Sequence, residues 1–495
     1  MALILVALPL VFALLCLLVP APRLRLTLLV LGAWAHVGAV LWMWQGPPVL
    51  WPAVSFIGLD ALGRLFITLI SVLFAATSVY FVGYQRRTLI SQRVFLACLL
   101  ALLGTLSLVC VSQHLGVLWV ALEASTLAAA PLIYFHLGSR ALAATWKFLL
   151  MNSVGIALAL LGIFCVAVAA QGRSGALWIN AAIPQPHAFD PTWLRAGFLL
   201  ALVGFGTKMG LAPMHAWLPD AHGEAPAPVS ALLSGAVLNA ALLGLLRIYH
   251  ICAEAGQATF AGQWLVVFGL LSVGVAAVFL YGEVDFKRLL ALSSVENMGI
   301  IAIGVGLGAA GTYPSLLHML HNTLNKGIVF FLAGFLAHLF ATTRMADMRG
   351  VLARAPVAGV LLAAGLCAVC ALPPFGTFFS ELGIIVAAAQ GGRWVVLALF
   401  AALLAVAFVN LVGAVLPMIF SQPPESGAAV AMPGHVARWR RNTMLATAAV
   451  LVLLALGLGT YQPPAVGDML AQAANVVSGP SPTALALADG AEVAP

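Results

Sequence analysis

The chain has 495 residues, of which 63% are hydrophobic and only 7% charged, and its mean hydropathy is +1.09. That composition excludes a soluble globular domain of useful size and points to a polytopic helical membrane protein. The net charge of +7 comes without a basic run interleaved with aromatics, so nucleic acid is not an expected partner and the lipid bilayer is.

Apolar runs lie near 1–20, 26–45, 60–84, 94–112, 115–135, 145–170, 196–212, 226–250, 260–282, 289–309, 312–340, 355–390, 394–420 and 442–461. They predict an all-α fold of about fourteen transmembrane helices. The first run lacks a basic leader and an A-x-A cleavage site and is expected to stay as a helix. Of the 22 lysines and arginines, fifteen fall in loops after odd-numbered spans, four after even-numbered spans, and Arg64, Lys208 and Lys326 sit inside spans. Since cytoplasmic loops hold the basic excess, both termini are expected on the outer, periplasmic face of a bacterial inner membrane.

The first three spans carry little polar cargo. His36 is expected to be a packing residue and Arg64 to snorkel to the interface, so residues 1–93 are expected to be peripheral. Polar chemistry begins with Glu123 in span five, where an unpaired carboxylate would be driven neutral and a nearby ammonium would keep it charged.

The stretch GFGTKMGLAPMHAWLPDAHGEAPAPVSALL, from Gly204 to Leu233, gathers a lysine, two histidines, two acids and four prolines. Lys208 lies roughly 18 Å into an apolar run at 1.5 Å per residue, close to mid-membrane. Charges at that depth cost roughly 2.5–3.5 kcal/mol and mark ion or proton paths. Gly206, Gly210 and Pro213 around it predict a broken helix whose backbone lines an enclosed or hydrated cavity. Glu123 is its expected partner: opening and closing that pair would switch the proton affinity of Lys208, while a purely structural ion pair is the bland alternative. His215, Asp220 and His222 follow as uptake or relay residues. Their five- and two-residue spacing among prolines does not suit a metal. Span eight offers Ser234 and Asn239, neither of which titrates.

Glu296, with Ser293 and Ser294, enters span ten as a relay acid or a lysine's partner. In span eleven His318, Asn322 and Lys326 are spaced by four and share one face, with His321 and Asn325 beside them. Such a stripe cannot face lipid. The long run 355–390 contains Pro373 and Pro374 and is expected to be a second broken helix, with Glu381 just beyond the break. Seven cysteines sit in or beside apolar runs, and the Cys367/Cys370 pair is expected to be packing, not a metal or redox site. The tail after Tyr461 shows no apolar face and is expected to be disordered.

KMGLAPMHAWLPDAH followed by APVSALL resembles the signature of the antiporter-like membrane subunits shared by respiratory complex I, multisubunit cation/proton antiporters and group 4 nickel–iron hydrogenases. HGEAPAPVSALLSG and KRLLALSSVENMGII are similar to hydrogenase-4 component F. The resemblance runs from about Asp60 to about Pro417. It implies two inverted five-helix repeats, 94–252 and 253–420, with spans seven and twelve broken, followed by 421–461 (span fourteen and its loop) and the tail 462–495. Together with the residue readings above, the expected proton path is Glu123, Lys208, Glu296, His318, His321, Lys326 and Glu381, with His215, Asp220, His222, Asn239 and Asn322 as uptake or relay positions. Two departures stand out: span eight lacks the titratable residue of complex I relatives, and the H-x-x-x-H-x-x-x-K pattern has Asn322 at its second position. The expected function is a proton-translocating subunit working with other membrane and peripheral subunits, with no catalytic residues, no metal and no cofactor of its own. A secondary cation/proton exchanger and a non-conducting membrane anchor are the alternatives. Protons are favoured over sodium because no dense oxygen cluster flanks Lys208.

Overall fold

A computed structural model describes residues 2–46, 56–85, 92–171, 177–179, 189–422 and 438–478. In chain order the helices are α1 (Ala2–Leu18), α2 (Pro22–Trp44), α3 (Ala61–Tyr84), α4 (Gln92–Val111), α5 (Leu115–Ile133), α6 (Ser139–Ala169), α7 (Pro191–Met209), α8 (Leu218–Glu224), α9 (Ala227–Leu232), α10 (Leu238–Glu254), α11 (Ala258–Leu280), α12 (Phe286–Gly306), α13 (Ala309–Phe340), α14 (Val351–Arg354), α15 (Pro356–Val369), α16 (Gly376–Gln390), α17 (Trp394–Phe420), α18 (Arg438–Thr460) and α19 (Pro464–Ser478). No strand is present among the described residues, only three isolated bridges. Among the described residues, twelve helical stretches are long and apolar enough to cross a membrane, and α1, α15 and α16 are shorter apolar helices.

Burial sorts these helices into an interior and a lipid-facing rim. The apolar window of α9–α10 is wholly buried and that of α12 is 89% buried, against 17% for α17. The interior helices carry the polar residues, as expected where lipid cannot satisfy them.

Both expected breaks are present. α7 ends on Gly210 at φ +83, where Leu211 N–H donates to Gly206 O at 2.8 Å and Gly210 N–H to Thr207 O at 3.2 Å. This left-handed cap needs a residue without Cβ, and a Cβ there would also press on Leu218. Trp217 Nε1 donates to the freed Thr207 carbonyl at 2.8 Å and Ser272 Oγ accepts from Ala212 N–H at 2.9 Å. Between α15 and α16, Asn325 Nδ2 and Thr377 Oγ1 both donate to the Ala368 carbonyl, at 2.9 and 2.7 Å. Protein groups thus replace the helical hydrogen bonds that each break removes. A third irregularity was not expected: Leu233–Val237 forms a π-turn between α9 and α10, and Asn239 Nδ2 donates to its Gly235 carbonyl at 2.8 Å.

Three expectations for the chain ends are corrected. α3 is not peripheral: it packs against α13, α18 and α19, and Tyr80 stacks on Phe331 at 4.3 Å while donating to its carbonyl at 2.6 Å. An apolar run reads alike whether it meets lipid or protein, so composition could not place it. Arg64 is not exposed to lipid or water but buried against protein, with its guanidinium over the Trp44 ring and Nη1 donating to Gly46 O at 3.4 Å. Residues 464–478 are not disordered but form α19, whose Met469, Leu470, Ala473, Ala474 and Val477 recur at helical spacing and are buried. An average over the whole tail hid that stripe. Residues 479–495 lie outside the described residues. His36 is a satisfied packing residue, bonded to Ser71, Ser107 and the Leu5 carbonyl.

Candidate functional site

Lys208 ends α7 fully buried, and its ammonium faces α5. Nζ donates to the Leu122 carbonyl at 2.9 Å and to Thr126 Oγ1. Glu123 lies on the same turn of α5 but turns to α6, accepting from Ser153 Oγ at 2.8 Å through Oε1. Its Oε2 is buried without a partner. The expected direct Glu123–Lys208 ion pair is therefore absent, and the two charges interact only through space. The ammonium is held by a carbonyl and a hydroxyl that α5 presents one turn apart, which leaves the carboxylate free to take another partner.

Lys326, on α13, is gripped in a similar way by α12. Nζ donates to the Leu290 carbonyl at 3.3 Å and to Ser293 Oγ. Glu296, a turn further along α12, lies within electrostatic reach of Lys326 and also of Glu381 on α16. From Lys326 the polar contacts run on past Ser293, whose hydroxyl and carbonyl serve separate hydrogen bonds. Asn297 Nδ2 donates to the Ser293 carbonyl, its Oδ1 meets His318 Nε2 at 2.9 Å, and His318 Nδ1 meets Ser380 Oγ at 2.9 Å. The Asn297 Oδ1 can only accept, so His318 Nε2 donates to it; the role of Nδ1 toward Ser380 follows the protonation of the ring. Ser380 precedes Glu381 in the chain. His321 lies beside this string with a buried, unpartnered Nδ1, and its Nε2 occupies the space a Cβ on Gly376 would need.

Between the two lysines the polar contacts thin out. Asn239 Nδ2 reaches Thr323 Oγ1 at 2.8 Å and Ser234 Oγ reaches Ser294 Oγ at 2.8 Å. His222 is fully buried, stacked on Phe330 at 5.1 Å, with neither ring nitrogen partnered, and Lys326 and Lys287 lie within its electrostatic reach. Asn322 Nδ2 and His215 Nδ1 are also buried and unpartnered. Asp220 sits apart at the edge of the bundle, bridging Lys147 at 2.7 Å and Arg288 at 2.5 Å.

A profile of the family described as NADH:quinone oxidoreductase/Mrp antiporter, TM, matches residues 112–406, the span that holds every one of these side chains. The chain belongs to that antiporter family. It is 35% identical over 378 residues to the hydrogenase-4 component F homolog of Methylacidiphilum infernorum, covering 74% of this chain and 78% of the relative. Among solved structures it superposes on a chain of the membrane-bound sulfane sulfur reductase, an archaeal respiratory membrane complex, with a TM-score of 0.85 at 23% identity, covering 96% and 97% of the two chains. Respiratory complex I from Thermus thermophilus gives a TM-score of 0.76 at 26% identity, covering 96% of this chain and 100% of that one.

In this antiporter-family chain the two buried lysines and the acids within their electrostatic reach lie on α5, α7, α12 and α13, and Glu381, within reach of Glu296, on α16. Sequence reading missed Thr126, Ser153, Asn297, Thr323 and Ser380. Thr126 stands three residues after Glu123 and Asn297 four after Ser293, so both share a helix face with a residue already singled out. Asn325, by contrast, serves the backbone of the second break. Among the described residues no group of three or more His, Cys, Asp or Glu side chains could hold a metal ion.

Proposed function

We propose that this chain is the proton-translocating, antiporter-like membrane subunit of a multisubunit redox complex of the hydrogenase-4 or complex I kind. It lies in a bacterial inner membrane with both termini outside, and its partners are the other membrane and peripheral subunits of that assembly. Protons move along Glu123, Lys208, His318, Lys326 and Glu381, with Glu296 and His321 as members. The observation that carries this reading is the row of buried polar groups Lys326, Ser293, Asn297, His318 and Ser380, hydrogen-bonded from Asn297 to Ser380 and joined to Lys326 at Ser293, whose hydroxyl meets the lysine and whose carbonyl meets Asn297. A chain of proton donors and acceptors through a buried bundle is costly to keep, and its presence marks a path. Redox chemistry in partner subunits drives, or is driven by, that movement. Two inverted repeats, helices α4–α10 and α11–α17, each hold one break.

A non-conducting anchor draws support from one place only, the π-turn, where Ser234 and Asn239 do not titrate. His222 answers it, since a buried ring with two free nitrogens beside Lys326 is poised to carry a proton across that interval. The deciding experiment reconstitutes the complex in sealed vesicles with a pH-sensitive dye while the redox reaction runs. Lys208→Ala and Glu123→Gln are expected to abolish proton movement with the complex still assembled. His222→Gln should slow it by about a hundredfold, the low end of what a positioned proton-transfer group contributes. Unchanged movement in all three variants would leave the anchor in front.

A further inference from the structure

A groove of about 490 Å³ runs along the lipid-facing side of the bundle between α2, α3 and α18. Trp34, Val72, Ala76, Val79, Thr443 and Val450 are among its walls. On α18 the lining residues extend from Thr443 to Leu454, about 16 Å at 1.5 Å per residue. A volume of that size spread over such a length makes a slot narrower than the 10–12 Å of a helix clad in side chains. Its walls are apolar, so within a membrane the fitting occupant is hydrocarbon chain, not water or a partner's helix.

One end of the slot is electrically marked. α18 opens with Arg438, Arg440 and Arg441, one turn beyond Thr443. Arg440 packs there against the last turn of α3: its backbone lies against Gly83, and its Nη1 donates to the Gln85 carbonyl at 3.2 Å while the guanidinium covers the Trp439 ring. α2 runs antiparallel to α3, since Trp44 bonds Thr68 near the start of α3 whereas His36 bonds Ser71 further along. Its first turn, with Arg23 and Arg25, therefore lies toward the same end. α2, α3 and α18 contain no carboxylate. Arg438 and Arg441 are exposed and take part in none of the ion pairs among the described residues.

We propose that this groove is a binding site for an anionic phospholipid, whose acyl chain lies between α2, α3 and α18 and whose phosphate faces the arginines at the start of α18. Clusters of arginine at the end of an apolar slot between spans recognise such headgroups by charge, while the slot recognises the chain. The lipid would fasten α18, which lies mainly on the rim, to the interior helix α3, without touching the proton path.

Native mass spectrometry of the full-length chain, purified in mild detergent and supplied with either phosphatidylglycerol or phosphatidylcholine, tests this. One phosphatidylglycerol is expected to stay bound at collision energies that strip phosphatidylcholine. Ala76→Trp and Val450→Trp, which fill the slot from opposite walls, should each remove that adduct, and Arg438→Gln with Arg441→Gln should weaken retention at least tenfold. Equal retention of the two lipids would reduce the groove to ordinary annular contact and overturn the proposal. So would a phosphatidylglycerol adduct that survives both tryptophan variants, or a copurifying polypeptide that occupies the slot in place of lipid.

Discussion

His321 and Gly376 show how closely one residue of the proposed path depends on another that carries no chemistry. The imidazole Nε2 of His321 sits where a Cβ on Gly376 would be, at the first turn of α16. Only a glycine lets the ring reach the start of the second half of the broken helix, so the Gly-Thr after Pro-Pro-Phe is part of the site. Gly376→Ala is expected to push the ring aside, at a cost of about 1–3 kcal/mol for overpacking. Proton movement should fall with it, and thermal unfolding of the purified subunit should register the strain. In the double variant with His321→Ala the strain should disappear while conduction stays low. Recovery of conduction in the double variant would show that His321 is dispensable and that Gly376 serves packing alone. The same scale explains what the sequence could not reveal about Lys208. Its depth and its neighbours identify a buried amine, but whether it meets a carboxylate or a carbonyl depends on the rotation of α5 against α7. That rotation leaves Thr126, not Glu123, under the ammonium.

At the scale of elements, α3 and α10 are joined by a pair that lies outside the proposed proton path. Asp60 caps α3 by accepting from Gly63 N–H at 2.9 Å and holds Arg247 of α10, which is 1% exposed, through both carboxylate oxygens. Burial alone would raise the Asp60 carboxyl; the guanidinium beside it and the Gly63 N–H bring it below the usual carboxylate range. A carboxyl depressed in the folded state contributes stability above its unfolded value of about 3.9, and that contribution is lost as the pH falls through the folded value. Asp60→Asn keeps the cap but strands a buried arginine, so it should cost about 3–5 kcal/mol at pH 7. The difference in melting between wild type and variant should shrink as the pH drops below about 4. A gap that stays constant through that range would mean the pair is not ionic. The helices themselves were legible in the sequence because apolar runs and prolines mark spans and breaks. α19 and the π-turn were not: a five-residue stripe in an Ala-rich tail is lost in composition, and a π-turn has no hydrophobic period of its own.

For the whole molecule, the question is whether the two lysine clusters act as one path or as two. Lys208 is gripped by α5 and Lys326 by α12, each through a backbone carbonyl and a hydroxyl, and each has an acid within electrostatic reach. A row of buried polar groups leads from Lys326 to Ser380, whereas Lys208 bonds only α5; His222 lies within electrostatic reach of Lys326, and Asn239 bonds Thr323. Two separate half-channels would each carry part of the flow, and Lys208→Ala and Lys326→Ala would then each leave a fraction, their losses adding in the double variant. In a single series path, removing either lysine stops every proton, and the double variant is no worse than either single one. Groups that act as one unit are non-additive in this way. The series outcome is the one the proposed function requires, with His222, within electrostatic reach of Lys326, carrying the proton between the clusters. Proton movement measured in sealed vesicles for the two single variants and the double one distinguishes the cases. Partial, additive losses would divide the subunit into two independent channels and remove His222 from the route between them.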